Sequence, residues 1–287
     1  MKLRLFSGLL VCLVLVIALM SQPTPVRSTE ETAEKNAPWS QVWTNLKGEQ
    51  PPKEKVLNAT DECRDQVDIG SSVEGRPIVA CQILNSSDDA ASPLLVIGTM
   101  HGDEPAGKYV VKRLIALKAI TGSSIWVIKD ANPDGSARGT RQNKRGVDIN
   151  RNFPESWEKT YANTRTYSGK SAASEPETKN LMNVINLIKP KRVIIFHQPY
   201  DQIDCSPNRP DDLSKALAML TDVKFECIGG EMSGSPSNQF RGTYTMWISK
   251  NFADTTPLTF ELSSDPSSEK LDKIAQSLRM VAKNGPF

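Results

Sequence analysis

The sequence predicts an α/β fold: a single domain with a mixed, mostly parallel twisted sheet that is covered by helices on both faces. Apolar runs rich in Val and Ile, without polar alternation, are typical of strands buried on both faces. They occupy Pro77–Leu84, Leu94–Thr99, Ile125–Lys129, Arg192–Phe196, Val223–Ile228 and Leu258–Leu262. Helical patterns lie between these runs, and alternation of strands with helices is the pattern that predicts such a layered sheet.

Four segments are expected to be helices: Glu104–Ile120, a segment from Ser174 to about Ile188, Asp211–Leu220 and Ser268–Lys283. The second of these begins with Ser174-Glu175-Pro176-Glu177, which matches a capping box with proline in the first turn. Residues 132–170 are instead rich in Gly, Asn, Arg, Pro and Ser. A loop of this length in a compact domain is usually functional or disordered, and its polar residues favour a functional loop.

The N-terminal part of the chain does not fit this domain. Residues 1–27 place Lys2 and Arg4 before an apolar run, which is the pattern of a secretory signal peptide. The run is short for a membrane span, which needs ~20 residues, but no A-x-A cleavage site follows it, so an uncleaved N-terminal anchor is the alternative. Residues 28–58 are expected to be a polar linker. Residues 59–287 are long enough to form one domain with a sizeable core.

Cysteine usage agrees with export to the periplasm, the cell surface or the medium. Besides Cys12, the chain has an even number of cysteines, which suggests two disulfides in an exported domain; they are Cys63, Cys81, Cys205 and Cys227. We expect the local pairing, Cys63–Cys81 and Cys205–Cys227, although the sequence alone allows three connectivities. Four free thiols are the alternative for a cytosolic chain. The net charge of +2 indicates no nucleic-acid partner, and contact with a membrane is expected only through an N-terminal anchor.

The chain has only two histidines, His101 and His197, and each follows a strand-like run. Glu104 lies three residues after His101. Two imidazoles and one carboxylate are a ligand set of catalytic zinc, which leaves a fourth position open. The alternative is two loop histidines, with Glu104 complementing a helix dipole; the length of the phrase VIGTMHGDEPAG and the second histidine favour zinc. Asp103 is expected either to orient an imidazole or to cap the helix.

Glu261 ends an otherwise apolar strand. Burial of a carboxylate costs several kcal/mol unless the group is paired or functional. Beside a metal, it would be a general base; the alternative is an edge-strand side chain that faces solvent. Ligands bind beyond the carboxyl ends of strands in sheets of this kind, so one edge of the sheet is expected to gather His101, His197 and Glu261.

The segment RGTRQNKRGVDINRNF, Arg138–Phe153, is dense in guanidinium groups. Arginine binds carboxylates through two hydrogen bonds and stabilises developing oxyanions. A solvated basic loop is the alternative, but it does not explain why Asn150 and Arg151 lie between apolar Ile149 and Phe153.

Together these motifs resemble the zinc metallocarboxypeptidases of the carboxypeptidase A type, from about Ile69 to Leu262. The resemblance rests on GSSVEGRPI, HGDE with the distant His197, NPDG, TRQNKRGVDINRNFP, YSG followed by SEPET, and FEL. It implies one zinc ion per chain, held by His101, Glu104 and His197. It also implies that Arg141 polarises the scissile carbonyl, that Asn150 and Arg151 hold the terminal carboxylate of the substrate, and that Glu261 is the general base. Digestive members place a flexible tyrosine on the loop before the final glutamate, and Tyr244 is the available candidate for such a substrate-binding residue.

Within this family, the wording TRQN-x-x-GVD resembles bacterial murein peptide amidases, which cleave between γ-D-glutamate and diaminopimelate. The resemblance therefore implies a zinc-dependent hydrolase that cleaves an amide bond next to a residue with a free carboxylate in cell-wall (murein) peptides, with a peptidoglycan stem peptide as partner. One alternative is an aspartoacylase-type zinc deacylase of N-acyl amino acids, which shares the zinc ligand set. Another is a non-catalytic zinc- or peptide-binding domain, although such a domain would not need Glu261 and Arg141.

Overall fold

The computed structural model describes residues 63, 65–84, 93–117, 124–205, 209–227 and 241–284. The predicted N-terminal segment and linker, residues 1–58, lie outside these ranges. The described strands are β1 (Asp65–Ser71), β2 (Pro77–Leu84), β3 (Leu94–Ile97), β4 (Ile125–Ile128), β5 (Arg192–His197), β6 (Tyr200–Ile203), β7 (Lys224–Phe225) and β8 (Thr256–Ser263).

These strands form one sheet in the order β1-β2-β4-β3-β5-β8-β6-β7. The four central strands, β4, β3, β5 and β8, are parallel to one another. Antiparallel pairs flank them, β1 with β2, β2 with β4 and β6 with β8, while β6 and β7 are parallel. The prediction of a mixed, mostly parallel sheet is therefore confirmed. The register of the parallel pair β5 and β8 places His197 opposite Glu261.

Helices cover both faces of this sheet, as predicted. The helices in the described ranges are α1 (Ala106–Ala116), α2 (Pro133–Arg138), α3 (Pro176–Ile188), α4 (Asp212–Thr221), α5 (Tyr244–Asn251) and α6 (Ser268–Asn284), and Ile149–Arg151 form a 3₁₀ turn. Strand β3 shows how the two faces are filled, because its side chains alternate between two buried cores. Leu94 and Val96 pack with α1, α4 and α6, whereas Leu95 and Ile97 pack with α3 and α5. Burial on both faces is the reason that this strand is apolar throughout.

The capping box predicted at Ser174 does not form. The N-cap of α3 is Glu175, without a side-chain cap, and its backbone N–H donates to Asn152 Oδ1 at 3.1 Å. Glu177 accepts instead from Val73 N at 3.1 Å and Asn143 Nδ2 at 3.0 Å. Distant parts of the chain thus supply the partners that the local motif would have supplied.

Both predicted disulfides, Cys63–Cys81 and Cys205–Cys227, are present. The first joins the chain ahead of β1 to the middle of β2, and the second joins the chain after β6 to the chain after β7. Within the described ranges, no helix combines the length and the apolar character that a membrane span requires.

Candidate active site

The predicted metal ligands meet at the carboxyl edge of the central strands. His101 follows β3, Glu104 precedes α1, and His197 is the last residue of β5. Because β3 and β5 are parallel neighbours, their carboxyl ends open at the same edge. Glu104 Oε2 lies 2.9 Å from His101 Nδ1 and 2.9 Å from His197 Nδ1, and the two Nδ1 atoms are 3.1 Å apart. All three side chains are buried, and these atoms can converge on one ion.

The electrostatics of this cluster suit a cation. Burial opposes ionisation of Glu104, but the two imidazoles outweigh it and hold the pKa of this carboxyl well below its usual range. Burial lowers the pKa of His197 and so favours its neutral, ligating form. Two imidazole nitrogens and a carboxylate oxygen are a ligand set of catalytic zinc, which keeps one position open. The residues present therefore fit zinc.

Asp148 orients the first ligand, a role that was not predicted from the sequence. Its Oδ1 lies 3.0 Å from His101 Nε2, so the Nδ1 atom of the same ring is left for the metal. The side chain is fully buried and also accepts the backbone N–H of Asn150 at 3.0 Å. A charged residue between apolar Val147 and Ile149 is the sequence signal that could have revealed it.

Asp103 takes neither of its predicted roles. Its Oδ2 pairs with Arg165 NH1 at 3.2 Å, and the N-cap of α1 is Pro105, without a side-chain cap. The side chain of Asp103 contacts an arginine of the loop across the pocket rather than an imidazole.

Arg141 lies beside the three candidate metal ligands. Its NH1 donates to Glu104 Oε1 at 2.9 Å, and its Nε donates to Asp148 Oδ2 at 2.9 Å. Asn132, which caps α2 by accepting Gly135 N, also donates its Nδ2 to the carbonyl of Arg141 at 3.0 Å. Arg141 is thus fixed at both its backbone and its guanidinium beside the position of the metal.

Asn150 and Arg151 occupy the 3₁₀ turn on the other side of the cluster. Asn150 Oδ1 accepts the backbone N–H of Tyr244 at 3.0 Å, which turns Nδ2 towards His197 Nε2, 3.4 Å away. Arg151 donates to the carbonyl of Asn150 at 2.7 Å, and burial lowers its pKa. Both side chains line the same pocket as the three candidate metal ligands.

Glu261 lies beside the cluster on β8 and is only 7 % exposed. Burial, followed by the negative charge of Glu104, raises the pKa of Glu261 from 4.5 to about 7. Its Oε2 is buried and has no hydrogen-bond partner among the described groups. A carboxyl with a pKa near neutrality can both accept and return a proton, which is the property of a general base.

Tyr244 is the predicted site residue that the structure does not bring into the pocket. Its side chain is fully buried, its hydroxyl donates to the carbonyl of Leu181 at 2.6 Å, and its ring stacks on Phe153 with centroids 4.6 Å apart. The predicted substrate contact is therefore replaced by a packing role, and only the backbone N–H of Tyr244 reaches the site, through Asn150.

The pocket that joins these groups has a volume of about 500 Å³, which is within the usual range for small ligands. Its described lining includes every predicted site residue except Tyr244. The further lining residues are Ser156, Trp157, Arg165, Thr166, Gln198, Pro199, Tyr200, Asp204, Cys205, Cys227, Arg241, Thr243, Thr245, Met246 and Thr259.

Three side chains that can hold a metal ion, with a buried carboxyl beside them at the carboxyl edge of such a sheet, are typical of metal-dependent hydrolases. The family model of zinc carboxypeptidases matches residues 54–267, and the chain belongs to that family. Murein peptide amidase A of Escherichia coli (strain K12) is 32% identical over 231 residues, which cover 75% of this chain and 90% of the relative.

Solved structures agree with this assignment. The murein-tripeptide amidase of Escherichia coli O157 superposes with a TM-score of 0.63 at 25% identity, over 77% of this chain and 93% of that chain. Carboxypeptidase A of Helicoverpa armigera shares the fold, with a TM-score of 0.58 at 19% identity over 77% and 69% of the two chains. The chain is thus a zinc-dependent peptide hydrolase of the metallocarboxypeptidase type, and the family assignment favours this interpretation over the deacylase and the non-catalytic binding domain.

Proposed function

We propose that this chain cleaves the amide bond next to a residue with a free carboxylate in murein peptides, with zinc held by His101, Glu104 and His197. The observation that supports this most directly is the placement of Asn150 and Arg151 in one pocket with the zinc ligand set. If these two groups bind the terminal carboxylate, the scissile bond would lie beside the zinc ligands. Zinc, when bound, supplies Lewis-acid chemistry that polarises the carbonyl and lowers the pKa of water.

Glu261 moves the proton in this proposal. Its carboxylate accepts a proton from the attacking water and returns it to the nitrogen of the departing amine, which then leaves as a neutral group. Burial raises the pKa of Glu261, which makes this carboxylate a stronger proton acceptor than an exposed one. The general acid and the general base are therefore the same residue.

Two arginines have different roles in this proposal, one at the scissile carbonyl and one at the carboxylate of the leaving residue. Arg141, held between Glu104 and Asp148, would polarise the scissile carbonyl and stabilise the oxyanion that forms there. Arg151, with the Nδ2 of Asn150, would anchor the carboxylate of the leaving residue by charge-assisted hydrogen bonds. Substrate position is thus set by the carboxylate, and reactivity is set by Arg141 and Glu261.

The murein substrate is supported by the relatives, whose names specify murein peptides. The two disulfides favour an oxidising compartment. We therefore include in the proposal an exported enzyme with residues 1–27 as signal peptide or anchor, residues 28–58 as linker, and residues 59–287 as catalytic domain. Its partner would be the stem peptide of peptidoglycan.

Paired peptides with a free or an amidated leaving carboxylate test the proposal. The zinc-loaded enzyme should cleave the free acid with the higher kcat/KM, because only the free acid can bind Arg151. Arg151→Ala should lower kcat/KM for the free acid by about 100-fold, the cost of removing one partner of a buried charge-assisted contact, and should affect the amide far less. Arg145→Ala is the matched control, since Arg145 belongs to the same segment and lies outside the pocket lining.

The same peptides test the base. Glu261→Gln should lose kcat and kcat/KM together while it keeps bound zinc, because it removes an interaction made in the transition state. Equal cleavage of free-acid and amidated peptides by the wild type would contradict the anchoring role of Asn150 and Arg151. An unchanged kcat in Glu261→Gln would contradict the role of Glu261 as the general base.

A further inference from the structure

Three motifs of the sequence have no role in the proposed reaction. They are GSSVEGRPI, which contains the turn between β1 and β2, NPDG, which begins α2, and SEPET, which begins α3. No residue of these motifs belongs to the described lining of the pocket. The structure nevertheless brings all three motifs together around loop 141–148, which begins with Arg141.

Loop 141–148 is closed by its two ends, because Arg141 Nε donates to Asp148 Oδ2 at 2.9 Å. The amide of Asn143 bridges the loop between these ends. Its Oδ1 accepts the backbone N–H groups of Arg145 and Val147 at 3.0 and 3.1 Å, and the backbone N–H of Asn143 donates to the carbonyl of Val147 at 2.9 Å. The position of Asn143 therefore determines the shape of the loop that carries Arg141.

Two carboxylates hold the same amide from α3. Asn143 Nδ2 donates to Glu175 Oε2 at 2.8 Å and to Glu177 Oε2 at 3.0 Å, and all three side chains are buried. With two donated and two accepted hydrogen bonds, the amide of Asn143 uses its full capacity. A buried polar network that is fully satisfied fixes one arrangement of its members.

Glu177 connects this amide to the turn between β1 and β2. Its Oε1 accepts the backbone N–H of Val73 at 3.1 Å. The same turn binds Asp134 of α2, through Ser72 Oγ at 2.8 Å and the backbone N–H of Glu74 at 2.9 Å. The N-cap residue of α2 in turn donates to the backbone of loop 141–148. The turn, α2 and α3 thus support one loop from outside the pocket.

The polar character of this support favours positioning over stability. Burial raises the pKa of Glu177, so the folded state opposes its ionisation. Apolar side chains of similar volume fill buried space at a lower cost in free energy than buried charges do. Hydrogen bonds, however, have preferred directions and lengths, and they can fix the place of a guanidinium more closely than apolar contacts can.

We propose that Asn143 is the positioning residue for Arg141, and that Glu175 and Glu177 act through it by holding its amide. The network sets the place of the guanidinium relative to the metal ligands. It therefore affects kcat rather than the affinity for the terminal carboxylate of the substrate. This inference rests on the proposed function, in which Arg141 stabilises the oxyanion.

Asn143→Asp tests the network, because it keeps the shape and the accepting oxygen of the side chain but removes the donors to Glu175 and Glu177. In the zinc-loaded enzyme, kcat for the free-acid peptide should fall by about 100-fold, as for a displaced catalytic group, while KM should change by less than about threefold. Asn180→Asp is the matched control. Asn180 also lies on α3, where it donates to the carbonyl of Ser71 at 3.1 Å, and its replacement should leave kcat unchanged.

A reversal of donor and acceptor tests the bond between Asn143 and Glu177. Glu177→Gln alone turns a donor towards the amide of Asn143 and should lower kcat by about tenfold. In Asn143→Asp/Glu177→Gln, the introduced amide can donate to the introduced carboxylate while its oxygen still accepts Val73, and the net charge of the network is unchanged. The double variant should recover about tenfold of the kcat that Asn143→Asp loses.

The NMR signal of the Arg141 Nε–H group reports its position without hydrolysis, and Arg141→Lys assigns it. In zinc-loaded Asn143→Asp, this proton should exchange with water at least about tenfold faster than in the wild type. The Nε–H signal of Arg113, which donates to Asp272 at 2.8 Å, is the internal reference and should not change. Zinc content and thermal unfolding report whether each variant is folded.

The inference is overturned if folded Asn143→Asp keeps either the kcat or the Arg141 signal of the wild type, or if the double variant is no more active than Asn143→Asp. If Asn143→Asp does not fold, Glu177→Gln is subjected to the same two measurements with the same criteria. Absence of hydrolysis by the wild type, with a changed Arg141 signal in Asn143→Asp, would instead overturn the proposed function alone.

Discussion

The ionised form of Glu261, which the proposed function requires, lowers the free energy of unfolding of the metal-free protein. An unfolded glutamate loses its proton near pH 4.5, whereas the folded metal-free protein holds this proton until about pH 7. Between these two values the folded state binds more protons than the unfolded state, so the free energy of unfolding falls as the pH rises. Above pH 7 the whole cost of a buried charge is present, on the order of 3 kcal/mol for such a shift.

We expect metal-free Glu261→Gln to be more stable than the metal-free wild type at pH 8, by up to ~3 kcal/mol. The amide is neutral at every pH, so the difference should vanish near pH 4.5. Urea unfolding of both proteins in chelator, at the two pH values, measures it. Glu155→Gln is the control, because Glu155 lies outside the pocket lining. A difference that is equal at both pH values would contradict the assignment.

The residues that approach the zinc could be predicted from the sequence because each interrupts or follows an apolar strand. His101, His197 and Glu261 are polar groups where the pattern requires none, and strand ends meet at one edge of a sheet. Asp148 was missed for a different reason. Its role depends on the contact with His101, which lies far away along the chain, and no local pattern records such a contact.

At the scale of elements, Tyr244 connects two helices. It is the first residue of α5, and its hydroxyl bonds the carbonyl of Leu181 in α3. Tyr244→Phe should therefore lower the free energy of unfolding by about 0.5–1.5 kcal/mol, the net value of one hydrogen bond, because Leu181 lies inside α3 and its carbonyl keeps its helical partner. Activity should persist, since the backbone N–H that holds Asn150 is kept. Thermal unfolding and peptide hydrolysis measure the two effects, and a large loss of activity without loss of stability would restore the predicted contact with substrate.

The elements that sequence analysis missed are those with weak apolar patterns. Strand β1, DQVDIGS, lies at an edge of the sheet and pairs with β2 alone. Strand β6, YDQI, is short, with two exposed residues. Helix α5, YTMWISKN, has only eight residues and follows a threonine cap rather than a long amphipathic run. By contrast, the β2, β3, β4 and β5 predictions agree closely with the structure. Strands β3 and β5 are buried at every residue, which requires a nearly continuous apolar run.

At the scale of the whole molecule, zinc should stabilise the fold. A ligand that binds only the folded state adds about 2.7 kcal/mol when it is free at a hundredfold excess over its Kd. In a domain of this size each kcal/mol corresponds to about 2–4 °C in Tm, so chelation should lower Tm by several degrees. His197→Ala should show no zinc-dependent shift in calorimetry. A zinc shift of the same size in that variant would place the metal elsewhere.

The fold class followed from the alternation of buried strands and helices, but the strand order did not. In the order β4-β3-β5-β8, only β3 and β4 are consecutive along the chain, whereas β3 pairs with β5 and β5 pairs with β8 across long stretches of sequence. The apolar pattern predicts that these strands are buried, but it does not predict which strands pair with one another. Composition and periodicity therefore define the layers, whereas the three-dimensional contacts define which strand ends share the site.

The pairing of β3 with β5 also determines when, during folding, the two histidine ligands come together. His101 and His197 are 96 residues apart, and the parallel contact of these two strands brings them together. Closing so long a loop is entropically costly and slows folding. Zinc binding through both histidines therefore requires that β3 and β5 have already paired, whereas the ligands of a zinc finger lie close together along the chain.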